Sequence, residues 1–597
     1  LFPYTTLFRS EYNILMKNTL RAGILWGVIL SVSGMAFAQN PYVSFNIPRR
    51  TLEIAQDTPD VVPTSTEPAS QVVRVGIGTE GFKSYQYKNT AIYATSEIIL
   101  CDDNTAIKNF DSYVNLNIKL NINGFFEVTL DDGQKVGAYA GPLRFISPNG
   151  LIGVKGLKRA GADALYHGAL EIVKSQNNFN IVNIIEVEDY LKGVVPNEMP
   201  VSFGLEALKA QSVAARNYVL SPRTKASPNY DVVDSVASQV YYGANTEKEL
   251  SDSAVKETEG IVAIYDWNLI LAQYSSTAGG YSESYSNCFS DPINKTFPSK
   301  EKPYLTAKPD IIGQEALNND EAAMAFYSSK PDSYDIRSPY YRWEREWSAD
   351  ELQNALQMNL PNQSATGFVK PAFNKGDVLG KIQDIRVLKR GDSGKIIELE
   401  IYTDSENYKV QKELVIRRLF TKSGKAMPSA NMAFELNKDE ITGELTDIKV
   451  YGGGYGHGVG MSQFGAGFMG KELNLPYYKI LQHYYSGISL GTKPVTLSNS
   501  EQVITQHFYK TGENAKIKID NRHNVSNLTV VLNGNAKKIT LPSSFLGDKR
   551  FVEIDITKEL IKGRNEITYI WNSDEASNKN LRIYVELVEK DDNNGLW

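Results

Sequence analysis

The sequence predicts an α+β fold, and three observations support this prediction. Short runs of alternating apolar and polar residues, such as YVNLNIKLNI, start at Val72 and are separated by turn residues. Apolar residues at helical spacing replace this alternation after Glu186. Alternation returns beyond residue 500, where short runs with turns between them are typical of a β-sandwich. We therefore expect a mixed core followed by a C-terminal all-β region.

The composition is that of a globular protein and excludes several classes. Of the 597 residues, 42% are hydrophobic and 22% are charged, which does not fit a disordered or collagen-like chain. The chain has 63 basic and 69 acidic residues and a net charge of −6, so it has no basic footprint for nucleic acid. With two cysteines, Cys101 and Cys288, it cannot be a disulfide-stapled scaffold.

The first residues predict an exported protein. Residues 1–15 are interpreted as a non-native leader that precedes Met16. Residues 16–38 have the pattern of a signal peptide, with Lys17 and Arg21 before an uncharged stretch that ends in Ala36-Phe37-Ala38. A transmembrane anchor is the alternative, but the uncharged stretch is short for a membrane span.

Residues 39–71 are polar and contain several prolines, which indicates a linker. No other stretch has the length and hydrophobicity of a membrane span. We therefore expect a mature protein in the periplasm or outside the cell.

Two adjoining helices are predicted after the strand IVNIIEV. Apolar residues from 187 to 195 have helical spacing, and Pro196 is expected to end the first helix. The second helix is expected to begin near Ser202 and to end at Ser221-Pro222. Glu198 is therefore expected in a tight connection between two buried helices.

The later segments add further predicted elements. Residues 348–358 have the pattern of a capped helix, and residues 475–485 that of a helix with proline in its first turn. Residues 380–450 and 500–597 show the alternation of strands.

Glu198 is the candidate acid–base group. Pro196 and Pro200 bracket it, and Met199 and Phe203 are apolar neighbours in sequence. Burial of a carboxyl in an apolar pocket disfavours the ionised form, so its pKa rises and it can donate a proton near neutral pH. The alternative is a surface residue or a residue that caps a helix end.

The segment from 452 to 466, GGGYGHGVGMSQFGA, is the second candidate. Its alternating glycines leave one side of the chain bare, so that a ligand or another backbone can approach closely. Polar His457, Ser462 and Gln463 can form hydrogen bonds there, and Tyr455 offers a flat apolar face. The alternative is a buried glycine-rich strand that packs against a helix.

Two other patterns are weaker. GAGFMGKE resembles a P-loop, but Glu472 stands where Ser or Thr would bind Mg²⁺, so nucleotide binding is rejected. Ser275 and Ser276 lie in QYSSTAGGYSE without a nucleophile elbow, and a tight turn on Gly279-Gly280 is the favoured interpretation.

Together these segments resemble the stage II sporulation protein D family, which includes the amidase-enhancer proteins. The hallmarks occur here as EDYLKGVVPNEMP, EALKAQSVAAR, YSSTAGGYSE and GHGVGMSQFGA, in that order, within residues 72–495. The resemblance implies a peptidoglycan lytic transglycosylase that cleaves the bond between N-acetylmuramic acid and N-acetylglucosamine and leaves 1,6-anhydro ends. It implies that Glu198 is the catalytic glutamate.

The resemblance also implies the organisation of the chain. Residues 72–495 would form a mixed catalytic core with a glycan-binding groove. The resemblance does not cover residues 500–597, which strand alternation alone predicts to be an accessory C-terminal all-β sandwich domain. The residues expected to contact peptidoglycan glycan strands are Arg216, Gln211, Ser275, Ser276, Tyr455, His457, Ser462 and Gln463.

A cofactor is not expected. Some members of the family carry a His-x-x-Cys pair that helps to bind zinc, but Ser275 and Ala278 stand at those positions here. Cys288 is then a single thiol, which cannot make a tetrahedral zinc site. We therefore expect no metal.

The alternative function is a non-catalytic peptidoglycan-binding protein that stimulates a cell-wall amidase. Its partner would then be the amidase as well as the glycan, and neither function involves nucleic acid or nucleotide. A sporulation role does not follow from the family name.

Overall fold

The structure is a computed structural model that describes residues 71–222, 225–498, 502–523, 525, 527–541, 551–571 and 580–588. The predicted leader (1–15) and signal peptide (16–38), and all of the predicted linker except Gln71, lie outside the described residues. In the described ranges, no helix has both the length and the apolar character needed to cross a bilayer.

The N-terminal region is built from strands, as the alternation predicts. Its strands are Val72–Ile77 (β1), Asn89–Ala94 (β2), Ile98–Asp102 (β3), Thr105–Phe110 (β4), Leu116–Leu120 (β5), Phe126–Thr129 (β6), Lys135–Tyr139 (β7), Leu143–Ile146 (β8), Ile152–Arg159 (β9), Ala162–Tyr166 (β10), Ala169–Ser175 (β11) and Asn178–Glu186 (β12). Together with Val232–Val233 (β13) they form two sheets, ordered β13-β1-β12-β11-β8-β3-β4 and β10-β9-β2-β5-β6-β7. Their inward side chains, such as Ile92, Leu116 and Phe145, are fully buried in one core.

Two helices follow directly from β12. They are Val187–Glu198 (α1) and Leu205–Leu220 (α2), and residues 207–217 of α2 are all buried. The prediction that Pro196 ends the first helix is wrong, because α1 continues to Glu198. Proline removes one backbone donor and favours a helix end, but the chain keeps helical geometry for two residues beyond Pro196. The second helix begins at Leu205 instead of near Ser202, after a short 3₁₀ turn at Val201–Phe203.

The chain then forms Glu249–Lys256 (α3), Ile261–Tyr265 (β14), Asn268–Leu269 (β15) and Tyr274–Ser275 (β16). A region with a hydrophobic core of its own follows. It is preceded by Asp320–Tyr327 (α4), whose buried residues form a small separate cluster. Its own elements are Trp343–Ser348 (β17), Ala349–Ser364 (α5), Val369–Lys370 (β18), Ile382–Arg390 (β19), Ile396–Thr403 (β20), Asn407–Gln411 (β21), Glu413–Leu419 (α6), Met432–Lys438 (β22) and Leu445–Gly452 (β23). The predicted capped helix is confirmed, because Ser348 and Glu351 form a capping box at the start of α5.

The chain returns to the main core through four elements. These are Met461–Ser462 (β24), Gln463–Lys471 (α7), Tyr477–Tyr484 (α8) and Ser489–Thr492 (β25). Strand β24 pairs in parallel with β16, and α7 and α8 both pack against α2. The two motif segments around β16 and β24 are therefore brought together on one side of α2.

The C-terminal region is all-β, as predicted. Its strands are Val495–Ser498 (β26), Gln502–Lys510 (β27), Asn514–Asp520 (β28), Asn527–Leu532 (β29), Asn535–Thr540 (β30), Phe551–Asp555 (β31), Gly563–Trp571 (β32) and Asn580–Val588 (β33). They are divided between a sheet ordered β27-β32-β29-β30 and a sheet ordered β15-β14-β25-β33-β28-β31. The α+β prediction is thus confirmed, while the boundary at residue 500 stays a prediction. The second sheet crosses that boundary, because β25 pairs with β33.

We expect truncation after Ser498 to destabilise the core. Removal of β33 leaves β26 without its hydrogen-bonded partner and leaves β25 paired only with β14. It also exposes Leu490 and Leu497, which are buried in the full chain. Two exposed leucines alone correspond to a loss of about 3–6 kcal/mol. Thermal unfolding of the truncated chain measures the loss, and a chain that ends at Val588 is the control. Equal midpoints for the two chains would show that the shared sheet contributes no stability.

Candidate functional site

Glu198 is the last residue of α1 and is half-buried. Its Oε1 accepts a hydrogen bond of 2.8 Å from the backbone N–H of Val240. The next residue, Met199, is fully buried, and Phe203 packs edge-to-face on Phe464 with ring centroids 4.9 Å apart. The two apolar neighbours of Glu198 in sequence, Met199 and Phe203, are therefore both packed against other parts of the protein.

The electrostatics of Glu198 are those of a proton donor. Burial raises the pKa of this carboxyl to about 7, although the hydrogen bond from Val240 favours the charged form. No ion pair of the described residues involves its carboxylate, so no cation offsets the cost of burial. Near neutral pH both protonation states are therefore populated, as general acid–base catalysis requires.

Gln463 and Gln211 hold the backbone of Glu198. The Gln463 side-chain amide donates to the carbonyl oxygen of Glu198 at 2.9 Å and to Oε1 of Gln211 at 3.2 Å. Gln211 has 0% exposure in the middle of α2, so a direct contact with substrate is not supported for this residue. The two glutamines instead connect α1, α2 and α7.

The three serines that were predicted to contact the glycan, Ser275, Ser276 and Ser462, have different surroundings. Ser462 is buried and caps α7, because its Oγ accepts the N–H of Gly465 at 3.3 Å. Its role is therefore structural and does not match the expected substrate contact. The hydroxyl oxygens of Ser275 and Ser276 are buried and have no hydrogen-bond partner among the described residues. These two hydroxyls keep their hydrogen-bonding capacity.

The alternating glycines accommodate another backbone segment. Gly456 has φ 107° and a Cβ there would lie 3.0 Å from Cβ of Ser275, while a Cβ at Gly460 would lie 2.1 Å from the carbonyl oxygen of Gln273. The glycine loop thus packs closely on the segment 273–275. The sequence left open whether a ligand or another backbone approaches these glycines, and the structure shows the close approach of another backbone.

His457 ties this loop together as a neutral imidazole. Its Nδ1 accepts the N–H of Val459 at 3.0 Å, and the ring also bonds to the backbone of Tyr274. Burial and the positive charges of Lys395 and Arg417 lower its pKa to about 3. Both ring nitrogens are used within the protein, so His457 positions the loop and the substrate contact expected for it is not supported.

Tyr455 packs against a side chain from the region between the motifs. Its ring lies 4.4 Å from that of Tyr340 and is partly exposed. Trp343 also reaches this loop and donates from Nε1 to the carbonyl oxygen of Gly454 at 3.1 Å. The aromatic face of Tyr455 remains a candidate substrate surface.

Arg216 is buried and paired within the protein. It is 1% exposed and binds Glu188 through Nε at 2.7 Å and through an η nitrogen at 2.6 Å. The other η nitrogen donates to the carbonyl oxygen of Ile261 at 3.0 Å. The expectation that Arg216 contacts glycan is therefore corrected: the guanidinium joins α1, α2 and β14.

The sequence reasoning missed three residues of this site: Tyr274, Gln239 and Val240. Tyr274 accepts a hydrogen bond of 3.0 Å from Gln239, which in turn accepts one of 3.3 Å from Tyr190. Burial and the nearby charge of Glu198 raise the pKa of Tyr274 well above its ordinary value. Gln239 and Val240 belong to a segment without periodicity, so no sequence signal pointed to them.

The segment that carries Val240 is anchored at its start by Asp234. This buried carboxylate bonds to Arg159 at 2.7 Å and accepts the N–H of Gly78 at 3.0 Å. The N–H of Tyr241 donates to the carbonyl oxygen of Asp234 at 3.2 Å, which closes the segment into a loop. We call residues 234–241 the acid-positioning loop, because it links the N-terminal sheets to Glu198.

The positions at which some family members carry zinc ligands can also be located in the structure. Ser275 and Ala278 occupy the loop positions noted above, and Cys288 is buried with its thiol 3.6 Å from the carbonyl oxygen of His457. In the part of the chain that the structure describes, His, Cys, Asp and Glu do not gather in groups of three or more suited to a metal ion.

Comparison with known proteins gives two matches to family models. Residues 175–265 match the model described as Stage II sporulation protein, and this range contains Glu198 and the acid-positioning loop. Residues 291–460 match a domain of unknown function, DUF8618, which corresponds to the region with its own core.

Individual relatives agree with the first match. The chain is 31% identical over 309 residues to the Amidase enhancer of Bacillus subtilis (strain 168), which covers 50% of this chain and 40% of that protein. It is 28% identical over 347 residues to Stage II sporulation protein D of the same organism, covering 55% and 82%. It is 27% identical over 413 residues to an uncharacterized protein of Brachyspira hyodysenteriae, covering 68% and 87%. The resemblance inferred from the motifs is confirmed: the chain carries a Stage II sporulation protein domain and has homologues with both names.

We expect Glu188→Gln to lower the free energy of unfolding by about 2–4 kcal/mol, because it leaves the buried Arg216 without its counter-charge. The first-turn position of Glu188 alone would account for about 1 kcal/mol or less. Chemical denaturation measures the loss. The control is Asp189→Asn, which breaks a half-exposed pair with Lys192 and should cost about 1 kcal/mol or less. Equal losses in the two variants would contradict the role given to Arg216.

Proposed function

We propose that this relative of the stage II sporulation protein D and amidase-enhancer proteins is a peptidoglycan lytic transglycosylase in which Glu198 is the catalytic residue. The observation that supports this most directly is the environment of Glu198, where burial raises the pKa of the carboxyl to about 7. The proposed substrate is the glycan strand, cleaved between N-acetylmuramic acid and N-acetylglucosamine.

Glu198 serves in both halves of the reaction. Its protonated carboxyl donates to the glycosidic oxygen as the C1–oxygen bond breaks, and the carboxylate then accepts the proton of the C6 hydroxyl as that oxygen bonds to C1. Glu198 donates one proton and accepts one, so it ends the reaction in its starting protonated form. The product carries a 1,6-anhydro ring, and no water is consumed. Because Val240 donates to Oε1, Oε2 is the oxygen available to carry the proton.

A second catalytic carboxylate is not needed in this mechanism, and the neighbouring carboxylates are engaged elsewhere. A hydrolase that uses water or a covalent intermediate needs a pair of carboxylates that flank the bond. Here Glu188 pairs with Arg216, Asp189 with Lys192 and Asp234 with Arg159. The substrate's own hydroxyl as nucleophile is consistent with Glu198 as the one catalytic carboxylate, which has no ion-pair partner among the described residues.

Two of the predicted contacts remain in the proposal. Tyr455 presents a partly exposed ring and is proposed to contact the glycan. Ser275 and Ser276 have hydroxyls without a partner among the described residues, but these hydroxyls are buried, so a contact with the glycan is not supported for them. Gln463 is 7% exposed, so only the exposed part of this residue is proposed to contact the glycan. Export to the periplasm or the outside of the cell belongs to the same proposal, because peptidoglycan lies there.

The second candidate is a non-catalytic peptidoglycan-binding protein that stimulates a cell-wall amidase. The relative named Amidase enhancer favours it, although the matched region covers 40% of that protein. The two functions differ in their products. An enzyme releases anhydro-muropeptides from purified sacculi, whereas an enhancer releases none and accelerates the amidase.

We expect Glu198→Gln to reduce the release of anhydro-muropeptides by about 10²–10⁴-fold, since the amide keeps the shape but has no transferable proton. Sacculus binding should persist. The matched control is Glu249→Gln, the same change at an exposed position in the first turn of α3. Cleavage by Glu198→Gln within a few-fold of the control would refute the single-glutamate mechanism, and no cleavage by the unmodified protein would favour the enhancer.

The rate should fall as pH rises through about 7. The free enzyme must hold a proton on Glu198, and burial raises the pKa of that group to about 7, so the competent fraction decreases above this pH. The measurement is the pH profile of kcat/KM on glycan that has been freed of stem peptides. A profile that stays flat across neutral pH would exclude Glu198 as the proton donor.

A further inference from the structure

The carboxyl group of Glu198 accepts one hydrogen bond from the described residues. The backbone N–H of Val240 donates it to Oε1 at 2.8 Å. Glu198 is also the last residue of α1, and the helix dipole disfavours a negative charge at a helix C-terminus. The direction and the charge of this carboxyl are therefore sensitive to the position of a single N–H group.

That N–H belongs to the peptide bond that joins Gln239 to Val240. A peptide unit is planar, so an anchor on Gln239 restricts the direction in which the N–H of Val240 points. Gln239 is 1% exposed, and its side chain is held from two sides. Its Oε1 accepts from the hydroxyl of Tyr190 at 3.3 Å, and its Nε2 donates to the hydroxyl of Tyr274 at 3.0 Å. The amide is thus clamped between α1 and β16.

The two tyrosines of this clamp are themselves fixed. Tyr190 is fully buried in α1, about two helical turns before Glu198, and its ring centroid lies 4.9 Å from that of Tyr241. Tyr274 belongs to β16, where it pairs with Met461 of β24. The clamp therefore joins the helix that ends in the acid to the loop that supplies its hydrogen-bond donor.

The two ends of the acid-positioning loop are anchored by other contacts. At its first residue, Asp234 pairs with Arg159 at 2.7 Å. At its last residue, the hydroxyl of Tyr241 donates to the side-chain oxygen of Asn183 at 2.8 Å. These contacts do not involve the peptide bond that faces the acid, so the clamp on Gln239 is the side-chain anchor nearest to it.

The clamp is uncharged at neutral pH. Burial, and next the nearby charge of Glu198, raise the pKa of Tyr274 well above its ordinary value, and Tyr218 of α2 and Tyr190 of α1 act in the same direction. Burial and the hydrogen bond described above are the two influences on the pKa of Glu198, and no charged side chain of the described residues is among them. An uncharged replacement of Gln239 therefore adds no new charge to this site.

We propose that Gln239 is a positioning residue for Glu198. Its amide, clamped by the two tyrosines, keeps the N–H of Val240 on Oε1 and leaves Oε2 available to carry the proton. The consequence for catalysis rests on the proposed function, in which Glu198 donates that proton and then accepts another. Gln239 is too deeply buried to contact the glycan, so it acts through Glu198.

The test uses the full chain with two variants of the clamp. Gln239→Met keeps the length of the side chain and removes both hydrogen bonds of the amide. Tyr190→Phe removes only the hydroxyl that donates to Gln239, at a position remote from the acid. The second variant decides the matter if the first does not fold.

Each variant has a matched control outside the site. Gln353→Met is the same change in α5, where the amide donates to the carbonyl oxygens of Leu379 and Gly380 at 2.9 and 3.0 Å. Tyr327→Phe removes a buried hydroxyl of α4 that donates to the carbonyl oxygen of Ser393.

Two properties are measured in each protein. The pKa of Glu198 is followed by NMR through its carboxyl carbon, in chain labelled with ¹³C at glutamate, and Glu198→Gln assigns the signal. The second property is the pH dependence of kcat and KM on glycan that has been freed of stem peptides. Thermal midpoints are recorded for all four variants.

Gln239→Met should raise the pKa of Glu198 by about one pH unit, because the lost hydrogen bond stabilises the charged form. The falling limb of kcat/KM should move to higher pH by the same amount. The value of kcat should fall, since the acid is less well positioned, and KM should stay the same. Tyr190→Phe should produce a smaller change in the same direction. A role in stability alone would lower the thermal midpoint and leave the limb in place.

An unchanged pKa of Glu198 in Gln239→Met and in Tyr190→Phe would overturn the inference, and so would an equal change in the controls. The NMR measurement does not need cleavage, so the two proposals fail independently. A raised pKa in a protein whose parent cleaves no glycan would support the role of Gln239 and refute the transglycosylase. Cleavage by the parent with an unchanged pKa in both clamp variants would do the reverse.

Discussion

The structure depends on the burial of α2. Every residue from 207 to 217 in this helix is buried, and the alanines at 207, 210, 214 and 215 allow neighbouring elements to approach closely. Three of its polar side chains bind different neighbours: Gln211 accepts from Gln463 through Oε1, Arg216 binds Glu188, and Asn217 donates to the backbone of Ala263 and Ile270. Nε2 of Gln211 has no partner among the described residues. Unpaired polar groups at this depth would cost about 1–3 kcal/mol each. The helix therefore fixes the positions of α1, α7 and β14, and with them the surroundings of Glu198.

Burial of this helix also explains what the sequence could and could not predict. Alternation and helical spacing located most elements, because apolar periodicity directly reflects which face is buried. The same sequence made Arg216, Gln211, His457 and Ser462 look like substrate contacts, since polar residues in a motif suggest a ligand. Their partners are far away in sequence, and only the packed structure shows that these side chains bind one another or the backbone. Val240 was missed for a related reason: it contributes a backbone N–H, which has no sequence signature.

The two other regions attach to this core in different ways. Residues 291–460 have a separate hydrophobic core, yet Tyr340 and Trp343 contact the glycine loop that follows them. The C-terminal strands extend a sheet that begins with β14 and β25, so their apolar side chains join the main core. Alternation predicts that such strands exist, but it does not reveal which sheet they join, because pairing partners depend on contacts between distant segments.

The same packing gives Glu198 its chemistry at a cost in stability. Burial raises the pKa of this carboxyl to about 7, above the value of about 4.3 for an exposed glutamate. The folded protein then binds more protons than the unfolded chain between these values, so this group makes the protein less stable as pH rises through that window. A shift of this size corresponds to about 3–4 kcal/mol. The buried pairs of Asp234 with Arg159 and Glu188 with Arg216 hold the backbone on both sides of the acid. The buried helix α2 and these ion pairs fix the backbone around Glu198. Its carboxyl therefore stays in a position where no ion pair of the described residues stabilises its charge.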